Sequence, residues 1–225
     1  MAAVEFLAAF HECDFDNQIK LQSGETYQIP SYDEQAILIE VDLLLQWYAP
    51  SQSGSRIEDH HASEFENIWR GYAQKIQSYE PTLVMRDYHS PNILWRETEE
   101  GLNRIGVIDF QDAVIGPTAY DVASLAQDAR VDVSPELEKQ LLNHYIECRT
   151  AKNSGFDLDV FHESYAIMAA QRATKILGIF IRLNERDGKP AYLKHLPRMQ
   201  DYIQRSLQHP VLEPYKNWLE TVIKL

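Results

Sequence analysis

The chain has little of what several familiar chemistries require. Its two cysteines, Cys13 and Cys148, are too few for a disulfide framework and form no C-x-x-C pair. Reduced thiols in a cytoplasmic setting are therefore expected. The nine glycines never fall in a G-x-G, and no Walker A run exists, which excludes the glycine-rich loops that cradle phosphates on backbone N–H groups. Positive charge is scarce. There are 21 Lys and Arg against 34 Asp and Glu, a formal charge of −13, and sequence-independent nucleic-acid binding, which needs a basic face, is disfavoured. No run approaches the ~18 apolar residues of a membrane span. Met1 to Phe10 is apolar but short, holds Glu5 and lacks a basic start, so it does not read as a signal peptide. Repeats and low-complexity tracts are absent. What remains is ordinary for a water-facing globular protein: 225 residues, 44% hydrophobic and 24% charged, enough to bury a core in one or at most two domains.

The informative stretch runs from Leu83 to Asp112, LVMRDYHSPNILWRETEEGLNRIGVIDFQD. Leu83, Val84 and Met85 lead into a polar turn, and Ile93, Leu94 and Trp95 lead out of it. The segment Glu97 to Asn103, with Gly101, is polar enough to turn, and Ile105 to Ile108 reads as a buried strand. Asp87 and Asp109 then stand where strands end, with Asn92 between them. Transfer of a phosphoryl group needs divalent cations on hard oxygen ligands and a carboxylate that orients the attacking hydroxyl. An Arg-Asp pair followed five positions later by Asn, with a second Asp-Phe beyond a hairpin, supplies that set. Asp87 would be the base, and Asn92 and Asp109 the Mg²⁺ ligands. Each alone would pass for a turn residue or a strand end; the ordered set carries the reading.

Around this stretch the chain is mostly helical. Residues 1 to 12 look like a piece of amphipathic helix, expected to fray, and Asp14 to Tyr32 shows no period. A helix is expected over 33–48, where Ile37, Leu38, Val41, Leu44, Leu45 and Tyr48 recur at helical spacing and Pro50 follows as a stop. A second is expected over 62–79, and the adjacent His60 and His61 read as its solvated entry. They lack the i,i+4 spacing of a helical metal pair, which leaves a metallohydrolase built on them and Asp59 unsupported. Ile115-Gly116-Pro117 breaks the chain, after which Thr118 can cap a helix through Asp128. Ser134-Pro135-Glu136 opens another, running to about Thr150. Residues 158 to 185 make the longest apolar helix, on which Arg172 and Lys175 are candidates for a substrate cleft or for ion pairs. Helices over 190–206 and 210–223 close the chain.

The central stretch resembles the aminoglycoside phosphotransferase family, small-molecule kinases of protein-kinase-like fold. Within it the chain is most similar to the bacterial N-acetylmuramate/N-acetylglucosamine anomeric sugar kinases of cell-wall recycling. The residues that carry this are Arg86-Asp87-Tyr88-His89, Val107-Ile108-Asp109-Phe110-Gln111-Asp112-Ala113, Gly116 to Asp121, Gln127-Asp128-Ala129-Arg130, Thr174 to Phe180 and Arg186 to Pro190. The similarity runs from about Tyr32 to the end. Met85 stands where the loop histidine usually is and Gln111 where the glycine is, and neither position supplies the base or a metal ligand. The resemblance implies ATP as co-substrate, Mg²⁺, and an amino-sugar acceptor phosphorylated at its anomeric hydroxyl. It also implies Arg86 and Asp121 as supports of the catalytic loop. Gln111, Asp112 and Arg130 are the candidates for the substrate side, and neither nucleic acid nor membrane is an expected partner.

The expected fold is α+β and mostly helical: the C-terminal lobe of such a phosphotransferase, with a small β-hairpin carrying the catalytic loop. One domain is expected over 1–225, with an irregular lead-in over 1–31 and a core over 32–225. A smaller β-rich lobe, with its phosphate-covering loop and strand lysine, has no room before Tyr32. Only Lys20 and Lys75 precede the loop, and Lys20 suits a solvated turn. The chain is thus expected to be a piece of a longer protein or a natural remnant, weak by itself and in need of a complementary N-terminal lobe. The alternatives are a non-catalytic lobe that binds a sugar or a protein, or a kinase of the aminoglycoside or choline type.

Overall fold

The computed structural model describes residues 1–223. In chain order the elements begin with α1 (Ala2–Phe10), β1 (Gln18–Lys20), β2 (Thr26–Gln28) and α2 (Glu34–Leu43). A π turn (Leu44–Tyr48), α3 (Ala49–Ser53), α4 (Asp59–Ile76) and β3 (Pro81–Val84) follow. Then come β4 (Ile93–Trp95), β5 (Ile105–Val107), β6 (Val114–Pro117), α5 (Ala119–Ala126) and α6 (Pro135–Lys152). The chain closes with α7 (Leu158–Glu185), α8 (Leu196–Ser206) and α9 (Glu213–Val222). The architecture is mostly helical α+β with small antiparallel sheets, the fold class expected from the sequence. Two compact units divide it: one holds Met1–Tyr32 and Tyr79–His162, the other Asp33–Ser78 and the chain from Glu163 onward.

Among the described residues the first unit contains every strand, in the pairs β1–β2, β3–β6 and β4–β5. The hairpin expected after the polar turn is β4–β5, with Trp95 opposite Ile105 and Ile93 opposite Val107. Strand β6 departs from expectation, since Val114–Pro117 does not simply break the chain. It pairs antiparallel with β3 in the register Val84↔Val114 and Thr82↔Gly116. A Cβ on Gly116 would come within 3.0 Å of the Tyr32 Cβ, so glycine is what lets this strand lie against Tyr32. The far end of the expected 105–108 strand is also less buried than its sequence suggests, with Ile108 45% exposed.

The lead-in expected to be irregular holds α1 and the β1–β2 hairpin, and α1 is packed rather than frayed. Its Val4, Leu7 and Ala8 are buried, and Phe6 stacks on Tyr88 with centroids 6.2 Å apart. Polar contacts tie the end of α1 to α6. His11 Nδ1 lies 2.7 Å from the Tyr145 hydroxyl, which also accepts from Arg149 Nη1 at 3.0 Å. Arg149, 1% exposed, pairs with Glu12 at 2.6 Å and Glu80 at 2.7 Å. A buried guanidinium needs such partners, because an unpaired one would cost several kcal/mol. Helix α6 starts as its sequence predicts, with Ser134 Oγ accepting from the Leu137 N–H at 3.2 Å.

The second unit is helical. Helix α2 begins at an Asp33 cap that accepts from the Ala36 N–H at 2.9 Å. Pro50 does not stop it: a π turn intervenes, in which the Ala49 N–H reaches the Leu44 carbonyl, and α3 continues with Pro50 in its first turn. The wider turn changes the hydrogen-bond register just before a residue that cannot donate. Gly54, at φ 72°, ends the run in the left-handed conformation. Phe65 and Trp218 meet at 4.7 Å, Trp69 and Tyr215 at 5.1 Å, and these rings lie in the core. Helix α7 crosses α2 so closely that a Cβ on Gly178 would sit 2.2 Å from the Leu43 carbonyl oxygen. Lys175, a cleft candidate, instead donates to Glu40 Oε1 at 2.6 Å, and Gln171 donates to Oε2 at 2.8 Å. Arg172 is buried.

Candidate functional site

The site lies wholly within the first unit, in the turn between β3 and β4 and at the end of β5. Its backbone is tight. The Asp87 N–H donates to the Met85 carbonyl at 2.8 Å and the His89 N–H to the Asp87 carbonyl at 2.9 Å; a bond spanning two residues is a γ-turn. Arg86, at the centre of the first, has φ 67°, and Asp109 has φ 64°. They are the only non-glycine residues with positive φ among the described residues. A side chain in that region costs about 1–2 kcal/mol and persists only where its surroundings enforce it.

Two buried carboxylates do the enforcing. Asp121, in the first turn of α5 and 0% exposed, accepts from the Met85 N–H at 2.7 Å and the Arg86 N–H at 2.9 Å. Hydrogen bonds to an ionised acceptor contribute about 1.5–3 kcal/mol each, enough to offset the backbone strain at Arg86. Ser124 Oγ adds a bond to the Arg86 carbonyl at 3.3 Å. Asp128, also 0% exposed, accepts from the Ser90 N–H at 2.8 Å on one oxygen. Its other oxygen accepts from the Arg130 N–H at 2.7 Å and the Val131 N–H at 3.2 Å. Tyr88, between the two clamps, is fully buried and donates its hydroxyl to the Ala3 carbonyl at 2.7 Å. Burial, then the nearby Asp121 charge, pushes its pKa up.

Of the oxygen-bearing residues singled out in the sequence, Asn92 and Asp109 meet through their side chains here, and Asn92 reaches Asp87 at its backbone carbonyl. Asn92 Nδ2 donates to the Asp87 carbonyl at 3.1 Å and lies 3.4 Å from Asp109 Oδ2. The Ile108 N–H donates to the Asn92 carbonyl at 3.1 Å, which registers the end of β5 against the loop. Asp87 and Asp109 are exposed, and Asn92 is 9% exposed. With Nδ2 committed to the Asp87 carbonyl, Asn92 keeps Oδ1 for a cation. Asn92 and Asp109 form a hard, oxygen-only pair that leaves other positions to water and phosphate oxygens, the usual preference of Mg²⁺. Among the described residues no three His, Cys, Asp or Glu side chains gather into a protein-only metal cage.

The substrate-side candidates divide. Gln111 Nε2 donates to Asp109 Oδ1 at 2.8 Å, so it adjoins the oxygen cluster. Asp112 is exposed on the turn beyond it. Arg130, exposed, places Nη1 2.6 Å from His89 Nε2. Sequence reasoning missed Asp128 and His89 as parts of this assembly. An acid just beyond the C-terminal end of α5, where the helix dipole disfavours negative charge, was the available signal for Asp128. His60 and His61 lie elsewhere, in the second unit, stacked 3.9 Å apart and facing Glu58 and Glu64. A cavity of about 480 Å³ in that unit, lined by Leu38, Asp42, Leu45, Asp59 and Phe65 among others, contains none of the predicted site residues.

The loop is thus strained, fixed by buried carboxylates, and presents a carboxylate and an Asn–Asp oxygen pair at strand ends. The chain belongs to the phosphotransferase enzyme family, whose model matches residues 2–156. It is similar to a protein of Caulobacter vibrioides named N-acetylmuramate/N-acetylglucosamine kinase, 32% identical over 222 residues, which cover 99% of this chain and 60% of that one. Proteins of the same name from Pseudomonas putida and Neisseria meningitidis are 32% and 30% identical over 179 and 181 residues. Those alignments cover 78% and 79% of this chain, and 51% and 52% of theirs. The chain thus matches between about half and 60% of the length of these curated relatives.

Proposed function

We propose that this chain carries the catalytic part of an ATP-dependent kinase that phosphorylates the anomeric hydroxyl of an N-acetylated amino sugar, N-acetylmuramate or N-acetylglucosamine. The observation that carries the reading is the meeting of Asn92 with both Asp87 and Asp109, 3.1 Å from the Asp87 carbonyl and 3.4 Å from the Asp109 carboxylate. Asp87 orients the acceptor hydroxyl and takes its proton as the phosphoryl group moves. Asn92 Oδ1 and the Asp109 carboxylate hold Mg²⁺, which when bound offsets the negative charge of the phosphate oxygens. Asp121 acts through the backbone of Met85 and Arg86, and is a positioning residue. The names of the relatives are what support this choice of acceptor. A cytoplasmic role in recycling cell-wall sugars accords with it.

The fold reading is the C-terminal lobe of a kinase-like enzyme, one functional domain over 1–225, completed by an N-terminal lobe. Without an opposing wall to close and dry the site, much of the electrostatic stabilisation of transfer is lost, so weak turnover is expected of the chain alone.

Calorimetry with ATP, with and without Mg²⁺, paired with a coupled kinase assay, tests the proposal. Mg²⁺-dependent binding that disappears in Asp109→Ala, with turnover rising only once the N-terminal lobe is supplied, is the expected result. Binding indifferent to both Mg²⁺ and Asp109→Ala would refute the site, and robust turnover by the chain alone would refute the need for a second lobe.

A further inference from the structure

We propose that Arg130 reads a carboxylate on the acceptor sugar and so sets the preference between the two sugars in the relatives' names; this rests on the sugar-kinase reading above. Those sugars differ chemically by a single charged group, the lactyl carboxylate that N-acetylmuramate bears and N-acetylglucosamine lacks. The exposed side chains of Asp87, Asp109 and Asp112 give the site region negative charge. A carboxylate entering such a site is repelled unless a cation meets it.

Arg130 has the placement and the free hydrogen-bonding edge for that task. Asp128 holds the Arg130 N–H at 2.7 Å and the Ser90 N–H at 2.8 Å, so one buried carboxylate fixes both the loop that follows Asp87 and the backbone of Arg130. The guanidinium turns toward the loop, with Nη1 2.6 Å from the Nε2 of His89, two residues beyond Asp87. Arginine can only donate, so Nε2 accepts and the His89 proton sits on Nδ1. With Nη1 engaged, Nε and Nη2 still present the parallel pair of N–H groups that matches a carboxylate. Arg130 remains exposed, which suits a site that must also take a neutral sugar. A deeply buried guanidinium left facing a hydroxyl would cost far more than one that water can solvate.

The experiment measures dissociation constants of N-acetylmuramate and N-acetylglucosamine by calorimetry on the wild-type chain, Arg130→Gln and Arg130→Lys. Amide NMR spectra confirm that each variant is folded. The wild type is expected to prefer N-acetylmuramate by about tenfold, the scale of one charge-assisted pair at a solvated site. In Arg130→Gln the ratio falls to about one, with Arg130→Lys between. The His89 ring resonances should shift on adding N-acetylmuramate and stay in place with N-acetylglucosamine. A preference that survives Arg130→Gln, or a wild type that binds both sugars equally, overturns this assignment and leaves the kinase reading standing. A wild type that binds neither sugar overturns the acceptor reading and this assignment together.

Discussion

The two units treat backbone strain differently. In the second unit the positive-φ positions are Gly54 and Gly188, which carry no Cβ to clash. In the first unit Gly24 and Gly101 serve the outer turns, yet the loop itself places Arg86 and Asp109 in the same left-handed region. Glycine would be easier on the backbone at both positions, but at Asp109 it would have no side-chain oxygen to offer a cation. The second unit is organised by close packing instead, with an aromatic core and a helix crossing that only Gly178 permits. Polar burial also differs. The first unit buries Asp121 and Asp128 to hold a loop, and the second buries Glu40 against Lys175 and Gln171 to join two helices. The candidate site sits where the structure holds strain, and the other unit supplies conventional helical packing.

That contrast can be broken most forcefully at the helix crossing. Gly178→Ala should destabilise the second unit by about 3 kcal/mol, because its Cβ meets backbone that cannot swing aside. The urea midpoint followed by fluorescence of the buried Trp69 and Trp218 should drop accordingly, and an unchanged midpoint would mean the crossing relaxes freely. A smaller effect belongs to the first unit and to pH. Burial, and then the Arg149 charge, lowers the His11 pKa from 6.5 to about 3. The unfolded chain therefore binds the extra proton. Stability is full above about pH 6.5 and falls as pH drops toward 3, by about 2 kcal/mol between pH 7 and pH 5. His11→Gln should flatten that slope, measured as denaturation midpoint against pH. The smallest effect probes loop strain directly. Asp109→Gly should be more stable than Asp109→Ala by about 1 kcal/mol, since only glycine occupies φ 64° without penalty. Equal stabilities would show that position to be relaxed.

Much of this was legible from local sequence. The bounds of α7 match the apolar period over 158–185, the Ser134 cap opens α6, and the polar turn between β3 and β4 is where the residue pattern puts it. Asn92, placed five residues after Asp87, reaches the Asp87 backbone carbonyl and the Asp109 carboxylate. Strand β6 was hidden because its partner β3 lies some thirty residues earlier, and four residues containing Gly116 and Pro117 resemble a break until that partner is present. The packing of α1 was hidden for a similar reason: a short amphipathic segment frays unless something such as Tyr145 and Arg149 meets it.

Period, caps and residue spacing are properties of neighbours along the chain, so the amino-acid order alone determined helices such as α6 and α7 and nominated the oxygen-bearing side chains. Which acids became clamps, which residues took positive φ, and where a helix had to do without a Cβ were decided by tertiary structure. Asp121, Asp128 and Gly178 acquire those roles only when distant segments close around them, because burial and backbone strain exist only once both sides of a contact are in place.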